Sequence, residues 1–247
     1  MTTEILVIAA CAFLFAGVIK GTIGVGLPTI TISIMAQFVD PRVAIAFLLL
    51  PALVTNSWQI YRGGRVLYCI ENLWPFGLTL MITILISSFF APSVPVDWLV
   101  AGIGVMVVLW TVSSLVKTPP ALPDTIDRPV QFFAGFVAGT IGGLTAIWSP
   151  PMVMYLHSRR LTKNDFVAFT GFLILCGTVP LAVGYLFNGL LTRDLALGSA
   201  LMIIPTLAGF TIGERMRSRL NGKQFQNIVL IVFCIMGLNL IRRALFA

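Results

Sequence analysis

The residues KGTIGVGLP, 20–28, place three glycines, a proline and a charge inside an otherwise apolar run over 5–39. Glycine lets backbone N–H groups approach a ligand closely and line a concavity suited to anions. Pro28 fits the first turn of a following half-helix, whose N-terminus carries partial positive charge. Lys20 is the one charged residue deep in an apolar segment, a position that marks function by default. Together these residues point to anion binding. A second interruption, GTIGGLTAIWSPP at 139–151, repeats the pattern in the run over 130–156.

The candidate ligand-binding residues are Lys20, Gly21, Thr22, Gly24, Gly26 and Thr29 at the first break. At the second they are Gly139, Thr140, Gly142, Gly143, Trp148 and Ser149, with Thr145 as a further donor. Neighbouring spans add Asn56, Ser57 and Gln59 in one half and Thr170 and Thr178 in the other. Asn56 is the strongest of these, because an amide at mid-span is costly without a partner. A competing reading gives the glycines only close helix packing, lets Lys20 snorkel or meet loose carbonyls, and ties each hydroxyl to its own helix.

Acidic chemistry is absent from the apolar segments. Every carboxylate, from Glu4 to Glu214, falls in a loop or at a segment end, so no intramembrane proton relay can be drawn. A single histidine, His157, excludes bis-histidine haem, and neither H-E-x-x-H nor a paired intramembrane carboxylate occurs. No catalytic residue, metal site or cofactor is expected. The four cysteines lie apart without C-x-x-C spacing and read as small buried hydrophobes.

Such residues need a scaffold, and composition supplies its class. The chain of 247 residues is 58% hydrophobic and 10% charged, with apolar stretches long enough to cross a bilayer. It reads as an all-α integral membrane protein of one membrane domain, 1–247. The N-terminus has no basic start and belongs to the mature fold. Eight helical segments are expected, near 5–39, 43–61, 72–96, 98–116, 130–156, 166–192, 195–213 and 225–241. The net charge of +7 sits at segment ends, the pattern of loops facing lipid headgroups rather than of a nucleic-acid surface.

Both interrupted segments are over-long: at 1.5 Å per residue they would span about 50 and 40 Å against a hydrocarbon core of about 30 Å. The identical GTIG at 21–24 and 139–142, with RVAIAFLLLP from Arg42 resembling DFVAFTGFLI from Asp165, predicts two homologous repeats, 1–120 and 128–247. On the tetrapeptide register Ala138 stands opposite Lys20, and the second break carries about six extra residues.

Charge counting then chooses the topology. If each broken segment crossed once, basic residues would divide seven against eight. As re-entrant hairpins, eleven gather on one side (Arg62, Arg65, Lys117, Arg128, Arg159, Arg160, Lys163, Arg215, Arg217, Arg219 and Lys223) against Arg42, Arg193, Arg242 and Arg243 on the other. The positive-inside rule selects the hairpins and puts the eleven in the cytoplasm. An odd number of crossings per half makes the repeats inverted, with the site between the two breaks.

The two glycine-rich breaks, YRGGRV at 61–66 and IGERMRSRLNGKQFQNIVLIVFCIMGLNLI at 212–241 resemble, in order and spacing, the sulfite exporter TauE/SafE family, also called toluene sulfonate uptake permeases. The similarity covers nearly the whole chain. It implies secondary transport of small sulfur-containing anions, such as sulfite, sulfoacetate, other sulfonates or thiosulfate, usually across a bacterial inner membrane. The family's glycine-rich stretches fall on Gly21–Gly26 and Gly139–Gly143. Here Val25 separates Gly24 from Gly26, and the second break extends through Trp148 and Pro151.

Export of an anion needs no coupling carboxylate, since a negative-inside potential drives it. An importer of sulfonates or carboxylates, an intramembrane enzyme and a purely structural membrane partner are the alternatives. The importer lacks carboxylates for a driving ion, and a structural role needs no matched helix breaks. Besides the small anion, the expected partners are membrane lipids.

Overall fold

A computed structural model describes residues 3–63, 65–115, 120–216 and 234–245. Among these residues nine α-helices run in order: α1 (Thr3–Ile23), α2 (Leu27–Met35), α3 (Pro41–Gly63), α4 (Val66–Phe90), α5 (Val96–Leu115), α6 (Asp127–Thr145), α7 (Ser149–Ser158), α8 (Lys163–Phe187) and α9 (Arg193–Met216). A further helical stretch covers 234–245, and no strand occurs among the described residues. Of these, α1, α3, α4, α8 and α9 are long and apolar enough to cross a membrane. The chain is an all-α membrane protein. The expected segment over 225–241 begins outside the described residues, as do Lys117, Arg217, Arg219 and Lys223 of the charge count.

Both over-long segments are broken, as their glycines and prolines demand. Helix α1 stops where Gly24 and Gly26 take φ of 97° and 107°, a region that a Cβ disfavours, and Pro28 opens α2. Helix α6 stops at Ala146, φ 55°, and Pro150 lies in the first turn of α7. In each break the left-handed residue donates its N–H four residues back at 2.7 Å, Gly24 to Lys20 and Ala146 to Gly142.

These equivalences correct the register taken from the shared tetrapeptide. Gly24 and Ala146, Leu27 and Ser149, and the starts of α3 and α8 at Pro41 and Lys163 all lie 122 residues apart. The second break is therefore no longer than the first. The residue opposite Lys20 is Gly142, not Ala138, and the two GTIG copies are staggered by one helical turn.

Helix α6 and its continuation α7 form a hairpin whose feet touch. The Asp127 carboxylate, at the start of α6, accepts from Tyr155 Oη at 2.9 Å and from Gln131 Nε2 at 2.8 Å and pairs with Arg159 just beyond α7. Leu122 N–H donates to Ser158 O at 3.1 Å alongside. Arg128 and Gln131 reach the Glu71 and Asn72 carbonyls near the start of α4, on the face where α3 ends at Arg62. This is the Arg62 face.

The α1–α2 hairpin returns to the opposite side. Arg243 donates to the Ala36 and Gln37 carbonyls after α2 at 3.2 and 2.8 Å, and Arg42 binds the Ala91 carbonyl beyond α4 at 3.1 Å. Asn188, after α8, donates to Ser88 O at 3.1 Å on this same Arg42 face.

Glycines set how closely the halves interlock. On α1, Gly17 sits beside Thr206 and Phe210 of α9, and Gly21 beside Phe210 and Glu214, so the two helices run parallel. On α6, Gly139 and Gly143 meet Leu80 and Ile84 of α4 in the same way, each again 122 residues after its counterpart on α1. Small-residue seams of this kind let backbones approach within lipid. Between them lie α3 and α8, the most buried of the candidate spans. Pro51 of α3 cannot bond the Phe47 carbonyl, and Ser199 of α9 donates to it instead at 2.8 Å.

Candidate anion-binding site

A cavity of about 340 Å³ opens between the ends of α1, α3, α8 and α9 toward the Arg62 face. Lys20 and Gly24 form its deep end, Gln59, Val167, Ala168 and Phe210 its walls, and Arg62, Arg65, Asn164 and Glu214 its mouth. The volume lies in the range of small-molecule sites. A larger groove of about 660 Å³ on the outer flank of α3 and α9 is lined by Leu53, Val54, Trp58, Tyr61 and Leu207, with no charged residue. Its exposed Trp58 and Tyr61 face the surroundings. The 340 Å³ cavity presents charge, as does another of about 480 Å³ that shares Arg62 and Glu214 with it and adds Thr211 and Arg215; of the three, the 340 Å³ cavity is the one that reaches Lys20.

Lys20 is fully buried in the last turns of α1. Its Nζ donates to Thr55 Oγ1 at 3.1 Å and to Asn56 Oδ1 at 2.5 Å. Both acceptors are fixed by their own helix: Thr55 Oγ1 donates to Pro51 O at 2.7 Å, and Asn56 Nδ2 to Ala52 O at 2.6 Å. Two neutral oxygens thus hold the ammonium while no carboxylate pairs with it among the described residues. A cation desolvated this way is stabilised by an arriving anion.

The arginines at the mouth are compensated. Arg62 pairs with Glu214 at 2.9 Å, and Arg65 pairs with Asp165. Each guanidinium also lies over an aromatic ring, Arg62 over Trp58 and Arg65 over Tyr68. The pairs link α3 to α9 and the start of α4 to α8 across the opening.

The second break is built differently. With glycine at 142 and 177, where the first half has Lys20 and Thr55, the Trp148 ring fills the space: a Cβ on Gly142 would lie 2.9 Å from it and one on Gly177 2.7 Å. Trp148 is 2% exposed and its Nε1 has no hydrogen-bond partner. Thr29 Oγ1, in the first turn of α2, is likewise buried and unpartnered. Backbone N–H groups in the first turns of α2 and α7 have no acceptor within their own helices.

The structure brings Lys20, Gly24, Asn56 and Gln59 of the candidate set together around the cavity. Gly26 and Thr29 lie at the entry to α2 and do not line the cavity, and Ser149 opens α7 beside Trp148. Gly21, Gly139 and Gly143 lie inside helices, pressed against α9 or α4. Thr22 Oγ1 bonds the Ile19 carbonyl, while Thr140 is exposed on the outside of α6 and bonds the Phe136 carbonyl. Thr55 and the mouth residues Arg62, Arg65, Asn164 and Glu214 are additions. Adjacency to Asn56 is the only sequence signal for Thr55, and the sequence marks the arginines for topology and as part of YRGGRV, not as site residues.

Comparison with known proteins adds a family. A family model described as sulfite exporter TauE/SafE matches residues 9–240, a span that includes both breaks and every residue of the cavity. No curated protein and no solved structure matches significantly. The family is one of membrane transporters of sulfur-containing anions. With a match over nearly its whole length, the chain belongs to the sulfite exporter TauE/SafE family.

Proposed function

We propose that the protein is a secondary transporter that moves small sulfur-containing oxoanions (sulfite, sulfoacetate or a related sulfonate, or thiosulfate) outward across a bacterial inner membrane. Lys20 carries this reading: a buried ammonium without a carboxylate, at the end of a cavity and beside a glycine-broken helix. The anion would sit against Lys20 and the N–H groups entering α2, with Thr55, Asn56 and Thr29 around it. In the other half, Trp148 and Ser149 would supply neutral donors from the second break. The two halves would act as inverted repeats, rocking about α3 and α8 to expose the site to either side.

Direction follows from charge. Arg62, Arg65, Arg128 and Arg159 mark the Arg62 face, and the positive-inside rule makes that face cytoplasmic. The cavity then opens to the cytoplasm. A negative-inside potential contributes about 2.3 kcal/mol per charge per 100 mV to outward anion movement, so no driving ion is required.

Purified protein in liposomes should release entrapped sulfite, methanesulfonate or thiosulfate faster than protein-free vesicles. Equal rates for all three would end the transport reading. A reporter fused to the C-terminus should lie outside the cytoplasm; a cytoplasmic reporter would reverse the assigned direction.

A further inference from the structure

We propose, building on the transport reading above, that the site is matched to a single negative charge, so the loaded site is electrically neutral and the membrane potential acts on the return of the empty site. The first support is the charge inventory of the cavity. It is lined by three cations, Lys20, Arg62 and Arg65. Arg62 is paired with Glu214 and Arg65 with Asp165, whereas Lys20 meets only Thr55 and Asn56. Among the described residues, a protonated Lys20 therefore leaves the empty site with one uncompensated positive charge.

The second support is the asymmetry of the two breaks. At the position equivalent to Lys20 stands Gly142, and the space above it holds the uncharged Trp148 ring. Thr178, which stands where Asn56 stands in the first half, bonds its own helix at 2.7 Å. Among the described residues, the second half thus places no cation at the position equivalent to Lys20. A monoanion neutralises Lys20, whereas a dianion leaves a net negative charge in a region of low dielectric, where desolvation penalises it strongly.

This selects a ligand chemistry. Hydrogensulfite and simple sulfonates such as methanesulfonate carry one charge, whereas sulfate, thiosulfate and sulfoacetate, with its added carboxylate, carry two at neutral pH. Sulfite loses its second proton near neutrality, so its singly charged form would be the one bound. The charge balance closes over a cycle. The neutral loaded site moves outward, and the empty site returns with the Lys20 charge, which a negative-inside potential pulls inward. One negative charge leaves per turn.

Liposomes containing the full chain, with labelled methanesulfonate as probe and a potassium diffusion potential imposed by valinomycin, separate the two half-cycles. With methanesulfonate saturating on both sides, exchange involves only the loaded site and should not respond to voltage. Net efflux requires the empty return and should accelerate several-fold when the interior is negative. Sulfate should compete at least tenfold more weakly than unlabelled methanesulfonate. Glu214→Gln leaves Arg62 uncompensated and should narrow that gap, and Asp165→Asn should do so independently through Arg65. Voltage-sensitive exchange, or sulfate competing as well as methanesulfonate, overturns the charge match while leaving the transport reading in place. Absence of flux for methanesulfonate, sulfite and thiosulfate alike overturns both.

Discussion

Lys20 Nζ and Asn56 Oδ1 meet at 2.5 Å, both side chains fully buried, on helices 36 residues apart in sequence. The amide oxygen of Asn56 is half of the ammonium's protein solvation, and Thr55 supplies the rest. Asn56→Leu therefore leaves a buried charge short of an acceptor and should cost about 2 kcal/mol. Lys20→Met removes that charge and should unfold no earlier than the parent, because an apolar replacement of buried charge is neutral or stabilising. In the double variant the Asn56→Leu penalty should largely vanish. Thermal unfolding of the four proteins in one detergent measures the cycle, and additive effects would show that the pair is not coupled. The anion-dependent rise in unfolding temperature should disappear in Lys20→Met alone.

The seam between α1 and α9 should be as intolerant as its geometry implies. A Cβ on Gly213 would lie 2.2 Å from the Val18 carbonyl oxygen and 2.9 Å from Gly21 Cα, both backbone atoms that cannot rotate away. Gly213→Ala should force the helices apart and destabilise by about 3 kcal/mol or more. Gly189→Ala is the control for glycine itself, since nothing lies within 4 Å of the added carbon and only its φ of 67° resists. Yield of folded protein from detergent extraction should fall far more for the first variant than for the second.

Asp127 anchors the foot of the α6–α7 hairpin. It is 7% exposed and gathers Tyr155, Gln131 and Arg159 around one carboxylate. Asp127→Asn keeps the shape but removes the charge facing Arg159 and should cost about 2 kcal/mol, below the usual loss for a broken buried pair because the arginine keeps some solvent contact. Tyr155→Phe removes one hydrogen bond and should cost about 1 kcal/mol. The two losses should combine less than additively, since both act through the one carboxylate, Tyr155 on Oδ1 and Arg159 on Oδ2. Chemical denaturation monitored by tryptophan fluorescence would measure them.

What could be read from sequence divides along the same physical lines. Glycine and proline in over-long apolar runs announced both breaks, because neither residue suits a continuous helix and a bilayer limits segment length. Lys20 and Asn56 stood out as polar groups at depth. Residue identity is a poor guide to the register between the halves. Ala146 occupies a left-handed position with nothing in its side chain to signal it, so the GTIG copies drew the alignment one turn away. Arg62 and Arg65 are legible as charges at a segment end and as part of YRGGRV, but not as the mouth of a cavity; their partners Glu214 and Asp165 lie 152 and 100 residues distant and meet them only in the folded chain.

Ala146 supplies the sharpest test of the corrected register. At φ 55° its Cβ crowds the backbone, a strain of about 1–2 kcal/mol that glycine does not incur. Thr145 Oγ1 compensates in part by accepting from Ile147 N–H at 3.2 Å. Ala146→Gly should therefore gain up to about 1 kcal/mol, the relief being offset by glycine's greater freedom in the unfolded chain. Gly24 holds the equivalent place with φ 97°, so Gly24→Ala should lose at least as much as Ala146→Gly gains. If Gly24 and Ala146 are equivalent, the two substitutions move thermal stability in opposite directions. On the tetrapeptide register Gly24 would instead match Gly142, and Gly142→Ala is opposed by the Trp148 ring at 2.9 Å rather than by a left-handed backbone. Trimming that ring with Trp148→Phe should then lessen the Gly142→Ala penalty while leaving the Gly24→Ala penalty unchanged.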